Sequence, residues 1–342
     1  MLGLIVRRLL QLPLILLAVY TLTLALAWAV PGNPLERPEG RRPPAEVAAA
    51  MRAQYKLDNF WAFYVSYLDS ATGLRYFREH VLATDQKRSD AEGGPSIAPP
   101  AANRATPNRP IFDLGPSLHY RDQRVHEIIA SSLPASMLVG GLAILLALLI
   151  GVPAGVASAA RPNSWVDAAT RLLALAGISI PSFVIAMALL LIFAVELGWL
   201  PVASWGGLAG LILPSFTLCL PFAAYITRLT RLGMLEQLGA DYIRTARAKG
   251  VSNMGVLTRH ALKNAILPVV SYLGPATAFA VTGSFVVERV FSIPGMGQHF
   301  VAAVQNKDLF LIIGVVLVYS SLLILLNLAV DVAYRWIDPR IE

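Results

Sequence analysis

The chain has 342 residues, of which 56% are apolar and only 14% are charged. So few charges cannot cover the surface of a soluble protein, and most of the chain is expected to face lipid or to be buried in a membrane bundle. The formal charge is +7, but the cations lie beside apolar runs, as membrane orientation requires, so nucleic acid is not an expected partner. The single cysteine, Cys219, excludes an internal disulfide and is expected to pack as a small apolar residue.

The first predicted element is a membrane span at residues 1–30. Arg7 and Arg8 precede an uncharged run from Leu9 to Val30, which is long enough to cross a bilayer of ~30 Å as a helix. The alternative is a signal peptide, whose apolar region is shorter and ends at a small-residue cleavage site. Ala27-Trp28-Ala29 faintly resembles such a site, but an uncleaved span is the preferred interpretation.

Residues 31–133 form a long polar region. Pro44 to Leu57 is predicted to be a helix that begins near its proline, and Phe60 to Leu68 an amphipathic aromatic helix suited to packing on the membrane face. From about 75 to 110 the sequence is rich in charge, Pro, Ala and Gly, which is typical of a mobile loop. This stretch is either a partner contact or, as we favour, a tolerated insertion.

Five further apolar runs complete a predicted all-α membrane protein with six transmembrane helices. The fourth span contains Pro214 and Pro221, which are expected to break it and to place it inside the bundle, where neighbours can satisfy the freed carbonyl groups. The five runs are Ser136–Ala160, Leu172–Val195, Leu208–Ile226, Ile266–Val287 and Leu309–Val330.

The distribution of cations predicts that both termini are cytoplasmic. Arg161 and Arg171 lie on one connection, and further arginines lie at both ends of the chain, whereas the opposite-face linker Glu196–Gly207 has no base. The positive-inside rule then puts the 31–133 region outside and the central loop, about 228–265, in the cytoplasm.

The central loop is the longest cation-rich segment between two apolar runs. Asp241 is predicted to cap a short helix, Gly250 to supply the left-handed residue that ends it, and Ser252 to cap a second helix. The result is a helix–turn–helix at the membrane surface. Its cations, for which Glu236 and Asp241 are the only nearby acids, are Arg228, Arg231, Arg244, Arg247, Lys249, Arg259 and Lys263.

Several kinds of chemistry have no sequence motif here. The chain contains no Gly-x-x-x-x-Gly-Lys-[Ser/Thr] loop, no His-Glu-x-x-His pair and no Gly-x-Ser-x-Gly elbow. His119 and His126 are seven residues apart, and a surface role is favoured over a metal site. Charged residues are nearly absent from the spans, whereas an ion relay needs acids at mid-membrane depth. A membrane-embedded enzyme and a self-contained channel or ion-coupled carrier therefore remain only as weaker alternatives.

The central loop resembles the cytoplasmic coupling loop of binding-protein-dependent ABC importer permeases. The match is closest to the B-type subunits of oligopeptide and dipeptide permeases, since Arg244-Thr-Ala and His260-Ala-Leu-Lys263 replace the Glu-Ala-Ala start and Ile-x-Leu-Pro ending of the general loop. Supporting motifs span the chain except about 75–109. They are Phe112-Asp-Leu-Gly-Pro-Ser117, Ile180-Pro-Ser-Phe183, Leu267-Pro268, Gly283-Ser284, Val287-Glu288, Pro294-Gly-Met-Gly-Gln298 and Ile337-Asp-Pro-Arg340.

This resemblance implies a multi-pass permease of the bacterial inner membrane. Its expected partners are a second, homologous permease subunit, two cytoplasmic ABC ATPase subunits that hold the ATP and Mg²⁺, and an external substrate-binding protein. No cofactor is expected in this chain. Domains are expected at 1–30, 31–133 and 134–342. The coupling loop implied by the resemblance contains Asp241, Tyr242, Arg244, Thr245, Ala246, Arg247, Ala248, Lys249, Gly250, Ser252 and His260.

Within that loop, Ala246 and Ala248 are expected to allow close approach of a partner, and the cations to pair with its acids. Outside it, the resemblance suggests an outer gate formed by Pro294, Gly295, Gly297 and Gln298. Small residues such as Gly151, Gly155, Gly177 and Gly283 are expected to serve helix packing. Peptides are the expected substrate, with nickel, a glycoside or an antimicrobial peptide as alternatives within the family.

Overall fold

A computed structural model describes residues 2–36, 44–78, 111–120, 123–202 and 205–337. These residues form helices and no strand, apart from an isolated bridge between Pro116 and Arg124. Five helices are long and apolar enough to cross a membrane, and a bent pair of shorter helices makes a sixth crossing if it is counted as one span. The all-α class is confirmed. The predicted insertion lies largely outside the described residues, and the sidedness of the termini stays a prediction.

The helices are, in chain order, α1 (Leu2–Ala29), α2 (Ala45–Tyr55), α3 (Phe60–Ala71), α4 (Val125–Ala160), α5 (Trp165–Ser179), α6 (Ser182–Leu189), α7 (Leu208–Leu238), α8 (Asp241–Ala248), α9 (Asn253–Gly255), α10 (Leu262–Ala265), α11 (Leu267–Val281), α12 (Phe285–Val290), α13 (Met296–Gln305) and α14 (Leu309–Ile337). A π-helical stretch, Leu190–Glu196, extends α6, and another, Val256–Ala261, joins α9 to α10. The chain divides into two compact units. The small unit is Leu17–Ala130 with His299–Leu317, and the large unit is Met1–Leu16, Ser131–Gln298 and Val318–Glu342.

The small unit is built around aromatic side chains. In α3, Phe63 and Tyr67 are buried, and Tyr67 stacks on Tyr20 of α1 with 5.5 Å between ring centroids. The Tyr20 hydroxyl donates to the Tyr64 carbonyl oxygen at 2.8 Å. Both predicted helices of this region, α2 and α3, are confirmed, and the opposite face of α3 leaves Trp61 exposed.

A buried carboxylate organises a second part of the small unit. Asp308 is fully buried and accepts from the Ser117 hydroxyl at 2.5 Å and from the Leu118 and His119 amides at 2.9 and 3.2 Å. Its other oxygen accepts from the Leu311 amide at 3.2 Å, which caps the start of α14. One acid therefore ties a polar turn to a helix terminus.

Helix α7 is the centre of the large unit. It was expected to break at its two prolines, but it runs unbroken to Leu238. Pro214 is buried, as expected for an interior helix. The buried Thr217 hydroxyl donates to the Leu213 carbonyl oxygen at 2.8 Å, so it is satisfied within the helix itself. The longer helix places Arg228 and Arg231 on the span rather than in the loop.

Glycines allow α4 and α5 to approach α7 closely. A methyl group at Gly151 would lie 2.8 Å from the Ala223 carbonyl oxygen, and one at Gly155 would lie 2.7 Å from that of Thr227. At Gly177 the corresponding distance to the Leu220 carbonyl oxygen is 3.3 Å. The structure thus confirms the packing role predicted for these glycines.

Two predicted spans each contain two helices. The expected helix Leu172–Val195 is instead α5 and α6, which are bent by 104° at Ile180. Ile180 is extended because the ring of Pro181 disfavours the α-helical conformation at the preceding residue. The span Ile266–Val287 consists of α11 and α12, which together make up the fifth membrane-crossing segment, Leu267–Val290; Gly283 lies between them with a φ of 90°.

Candidate functional site

The cationic helix α8 follows α7 after two residues. Ala240, not Asp241, occupies the N-cap position, and no side chain caps the helix, so the predicted cap was wrong by one residue. Asp241 lies in the first turn, where a negative charge still stabilises the helix dipole. Its carboxylate is 95% exposed and lies 3.4 Å from the guanidinium of Arg244.

The predicted turn after α8 is confirmed. Gly250 has a φ of 81°, and its amide donates to the Arg247 carbonyl oxygen at 2.9 Å. The Val251 amide donates to the Ala246 carbonyl oxygen at 3.2 Å, which satisfies a second terminal carbonyl group. A methyl group at Gly250 would contact nothing within 4 Å, so glycine is favoured here by backbone conformation alone. The Ser252 hydroxyl then caps α9 by accepting from the Gly255 amide at 3.3 Å.

One face of α8 is anchored in the large unit. Ile243 is 0% exposed and Ala246 is 7% exposed. These side chains lie three residues apart, and hence on one helix face, and complete a buried apolar cluster with Ala159, Met234, Val256, Ala261 and Ala265. Burial of an isoleucine stabilises such an anchor by about 1.5–3 kcal/mol. Ala246 therefore packs against its own chain, and the expectation that it lets a partner approach closely was wrong.

The opposite face of α8 is cationic and exposed. Its side chains include Arg244, Thr245, Arg247 and Ala248, followed by Lys249 in the turn. Arg244 is 76% exposed, and its only described ion pair is the one with Asp241. The structure thus places these predicted residues together on one accessible surface, which we call the α8 outer face.

Tyr242 and His260 lie beside this surface. The Tyr242 hydroxyl donates to the Gln237 side-chain oxygen at 2.8 Å and accepts from the Asn264 amide nitrogen at 3.3 Å. These two bonds connect α8 to the end of α7 and to α10. His260 is half-buried on the π-helical stretch between α9 and α10.

An ion cluster beneath α8 was not predicted from the sequence. Asp167 is fully buried on α5, and both of its oxygens accept from Arg231, at 2.7 and 3.0 Å. The Ser158 hydroxyl and the Asn163 amide also donate to this carboxylate, at 2.6 and 2.9 Å. The prediction that Glu236 and Asp241 are the only acids near the cations of the central loop is therefore wrong for Arg231.

The ion cluster adjoins the apolar anchor of α8. Arg231 lies three residues before Met234 on α7, and Ser158 immediately precedes Ala159 on α4. Both Met234 and Ala159 belong to the buried cluster around Ile243. Helices α4, α5 and α7 are therefore tied together at the base of α8.

The predicted outer-gate residues surround the carboxylate of Glu288. This side chain is 2% exposed, and one of its oxygens accepts from the Ser136 hydroxyl at 2.7 Å. The other oxygen accepts from the Gln298 amide at 3.3 Å. The Ser136 hydroxyl in turn accepts from the Met296 amide at 2.9 Å. A single acid on α12 thus holds the start of α13 against α4.

Glycine backbones make room for this carboxylate. A methyl group at Gly297 would lie 2.9 Å from one Glu288 oxygen, and one at Gly295 would lie 2.5 Å from each of the two. The Gln298 side-chain nitrogen donates to the carbonyl oxygens of Glu288 and Ile293, at 3.0 and 2.5 Å. Pro294 is exposed at the start of the segment. The residues do come together, and their use as a gate stays a prediction.

Within the described ranges, no three His, Cys, Asp or Glu side chains come together as metal ligands. Cys219 is buried among the apolar residues of the large unit. Burial lowers the pKa of His299, which lies beside the Tyr120 hydroxyl at 3.2 Å in the small unit. The described side chains therefore include an exposed cationic face on α8 and buried polar clusters around Asp167, Glu288 and Asp308.

Comparison with known proteins places this architecture in a family. Residues 151–342 match the family described as Binding-protein-dependent transport system inner membrane component. Over 328 residues the chain is 36% identical to the Dipeptide transport system permease protein DppB of Bacillus subtilis, covering 96% of this chain and 94% of that protein. Over 232 residues it is 44% identical to the Oligopeptide transport system permease protein OppB of Escherichia coli strain K12, covering 67% of this chain and 76% of that protein.

Among solved structures, the chain is similar to one titled Inward facing conformations of the MetNI methionine ABC transporter. The TM-score is 0.49 at 19% identity, over 62% of this chain and 96% of that one. The sequence matches extend through α8 and the residues around Glu288, since both lie within 151–342. The chain belongs to the binding-protein-dependent transport system inner membrane components.

Proposed function

We propose that this chain is a transmembrane permease subunit of an ATP-driven ABC importer and forms part of the path for dipeptides or oligopeptides. Family membership supports the importer class, and the relatives named as dipeptide and oligopeptide permeases support the substrate. The chain is a multi-pass protein of the bacterial inner membrane, consistent with its five or six membrane-crossing helices. Its role is transport, with ATP and Mg²⁺ held by separate subunits.

The anchored helix α8 is the observation that carries the coupling mechanism. Ile243 and Ala246 fix its inner face, while Arg244, Arg247 and Lys249 are exposed on the other. We assign the α8 outer face to a groove of a cytoplasmic ABC ATPase whose acids would pair with these cations. Exposed ion pairs contribute only about 0–1 kcal/mol each to binding. The fit of the helix into the groove must therefore supply the remaining binding free energy. Closure of two ATPase subunits would then move the helices tied together at the base of α8 as rigid bodies.

The substrate path is proposed to lie between this chain and a second, homologous permease subunit that is not identical to it. An external binding protein would deliver the peptide. The loop around Glu288 is proposed to shape the outer gate, because four donors and two glycines hold it in one conformation. Nickel, a glycoside and an antimicrobial peptide stay as alternative substrates until uptake is measured.

Co-purification in mild detergent tests the proposal. The tagged chain is expected to bring down a second permease and ABC ATPase subunits, and the reconstituted assembly to accumulate labelled di- or oligopeptides when ATP is supplied. Arg247→Glu should release the ATPase, whereas Arg161→Glu, a matched change at an exposed arginine outside α8, should retain it. Recovery of the chain alone, or transport without ATP, would favour a self-contained carrier. Uptake of nickel or a glycoside in place of peptides would correct the substrate alone.

A further inference from the structure

An apolar groove lies between α5 and α7 in the large unit. It consists of two adjoining cavities of about 290 and 390 Å³ that share Thr170, Ala174, Ala224 and Thr227. The remaining lining is apolar except for Arg171, Arg228 and Arg231 in the first cavity. The hydroxyl of Thr227 is already bonded to the Ala223 carbonyl oxygen at 2.7 Å. An occupant would therefore meet hydrocarbon along most of this groove.

The groove has cations at one end only. Arg171 and Arg228 line the first cavity and are absent from the lining of the second. The Arg171 side chain is 56% exposed and lies 3.6 Å from Asp167, whose oxygens are already bound by Arg231. Arg228 is exposed, and no carboxylate in the described parts of the chain forms an ion pair with it. The positive charges of Arg171 and Arg228 are therefore not fully neutralised, and they lie where the apolar lining begins.

The position along α5 fits the boundary between headgroups and hydrocarbon. Trp165, at the start of α5, is 80% exposed, and tryptophan is enriched at membrane–water interfaces. Arg171 lies six residues further along, within reach of the interface for a long side chain that extends toward water. From Arg171 to Ile180 the lined wall rises by about 13 Å at 1.5 Å per residue, which is a substantial part of one leaflet.

We propose that this groove binds one anionic phospholipid, with the phosphate between Arg171 and Arg228 and an acyl chain along Ala174 and Gly177 toward Ile180. Basic pockets between membrane helices suit anionic headgroups. A peptide would leave its backbone amides unpaired against the aliphatic wall, which is unfavourable. Because the arginines lie at the end of α7 that leads into α8, the lipid belongs to the leaflet that faces the ATPase. This last assignment rests on the proposed function, whereas the lipid site itself does not.

Native mass spectrometry of the intact purified assembly, titrated with phosphatidylglycerol or phosphatidylcholine of equal chain length, tests the site. Each arginine is expected to contribute about fivefold, so Arg171→Gln with Arg228→Gln should weaken phosphatidylglycerol binding roughly 25-fold. Arg161→Gln, which removes an exposed arginine outside the groove, should change nothing. Ala174→Phe, which fills the wall shared by both cavities, should weaken binding while keeping both arginines. Phosphatidylcholine binding should be weak in every variant.

Three results would overturn the proposal. The first is equal phosphatidylglycerol binding by the wild type and the double glutamine variant. The second is displacement of the lipid by millimolar glycerol phosphate, with Ala174→Phe harmless, which would leave only a phosphate site. The third is a cross-link from Ala174→Cys to the second permease, which would make the groove a protein interface. If the double glutamine variant fails to assemble, Arg171→Lys with Arg228→Lys keeps both charges, and Ala174→Phe still tests the acyl wall.

Discussion

Replacing Ile243 by alanine should detach α8 from the large unit. The side chain is 0% exposed within a cluster that also contains Met234 and Val256, and such truncations cost about 2–5 kcal/mol. That loss shifts the equilibrium between packed and detached α8 by about 30-fold to several thousand-fold, at tenfold per 1.4 kcal/mol. A helix of eight residues is too short to be stable in water without this packing. We therefore expect α8 to unfold locally while the spans stay assembled.

Amide hydrogen exchange over residues 241–250, measured on the assembled complex, reads out this change. Ile243→Ala should exchange at least tenfold faster than the wild type over that segment, while segments of α4 and α7 keep their protection. The control Ile243→Val removes one methyl group at a cost of about 0.5–1.5 kcal/mol. Its exchange rate over residues 241–250 should lie between those of the wild type and Ile243→Ala. In proteoliposomes the alanine variant should lose peptide uptake, because an unfolded segment does not transmit the motion of the ATPase.

Two outcomes would refute this reasoning. If residues 241–250 of Ile243→Ala keep wild-type protection, the apolar cluster does not hold α8. If they lose protection and uptake is unchanged, an ordered α8 is not needed for coupling. The alanine and valine variants must first be shown to reach the membrane in equal amounts.

Three further predictions follow from other residues. Gly250→Val should abolish uptake at normal expression, since the left-handed conformation costs a non-glycine residue about 1–2 kcal/mol. The control Gly239→Ala should be tolerated, because Gly239 has a φ of −81°. Equal uptake by the two variants would contradict the role of the turn at Gly250. Asp167→Asn should lower the thermal midpoint of unfolding, because it removes the negative charge that pairs with Arg231, and an unchanged thermal midpoint would contradict this. Burial lowers the pKa of His299, so the unfolded chain binds a proton more readily than the folded chain does. The stability of the protein should therefore fall as the pH drops below about 6.5. If the stability of His299→Gln depends on pH as steeply as that of the wild type, this prediction is contradicted.

Features that depend on a few neighbouring residues were predictable. The left-handed Gly250 and the capping Ser252 follow from the local preferences of glycine and serine, and both are present. The helices at 45–55 and 60–71 were found from their proline, their apolar spacing and their aromatic residues. The glycines of α4 were assigned to packing, which the short distances to α7 confirm.

Features that depend on distant residues were not predictable in this way. Arg231 and Asp167 are 64 residues apart, and no local pattern tells a paired arginine from one that obeys the orientation rule. Glu288 looked like a charge at the end of a span, but it is buried by a loop that returns to it from Gly295 to Gln298. The helix that runs unbroken through Pro214 is also set by packing, since a proline in a membrane helix is compatible with either a break or continuation.

The contact between α8 and the ATPase is the central claim, and cysteine cross-linking tests it most directly. Ala246 and Ala248 are two residues apart, but Ala246 is buried and Ala248 is exposed. The native Cys219 is fully buried and should give little background. In the intact transporter, Ala248→Cys should cross-link to the ATPase subunit with a short bifunctional reagent, in a yield that changes when ATP is added, and Ala246→Cys should not. Equal yields from both positions, or none from Ala248→Cys in an active transporter, would contradict the assignment of this face.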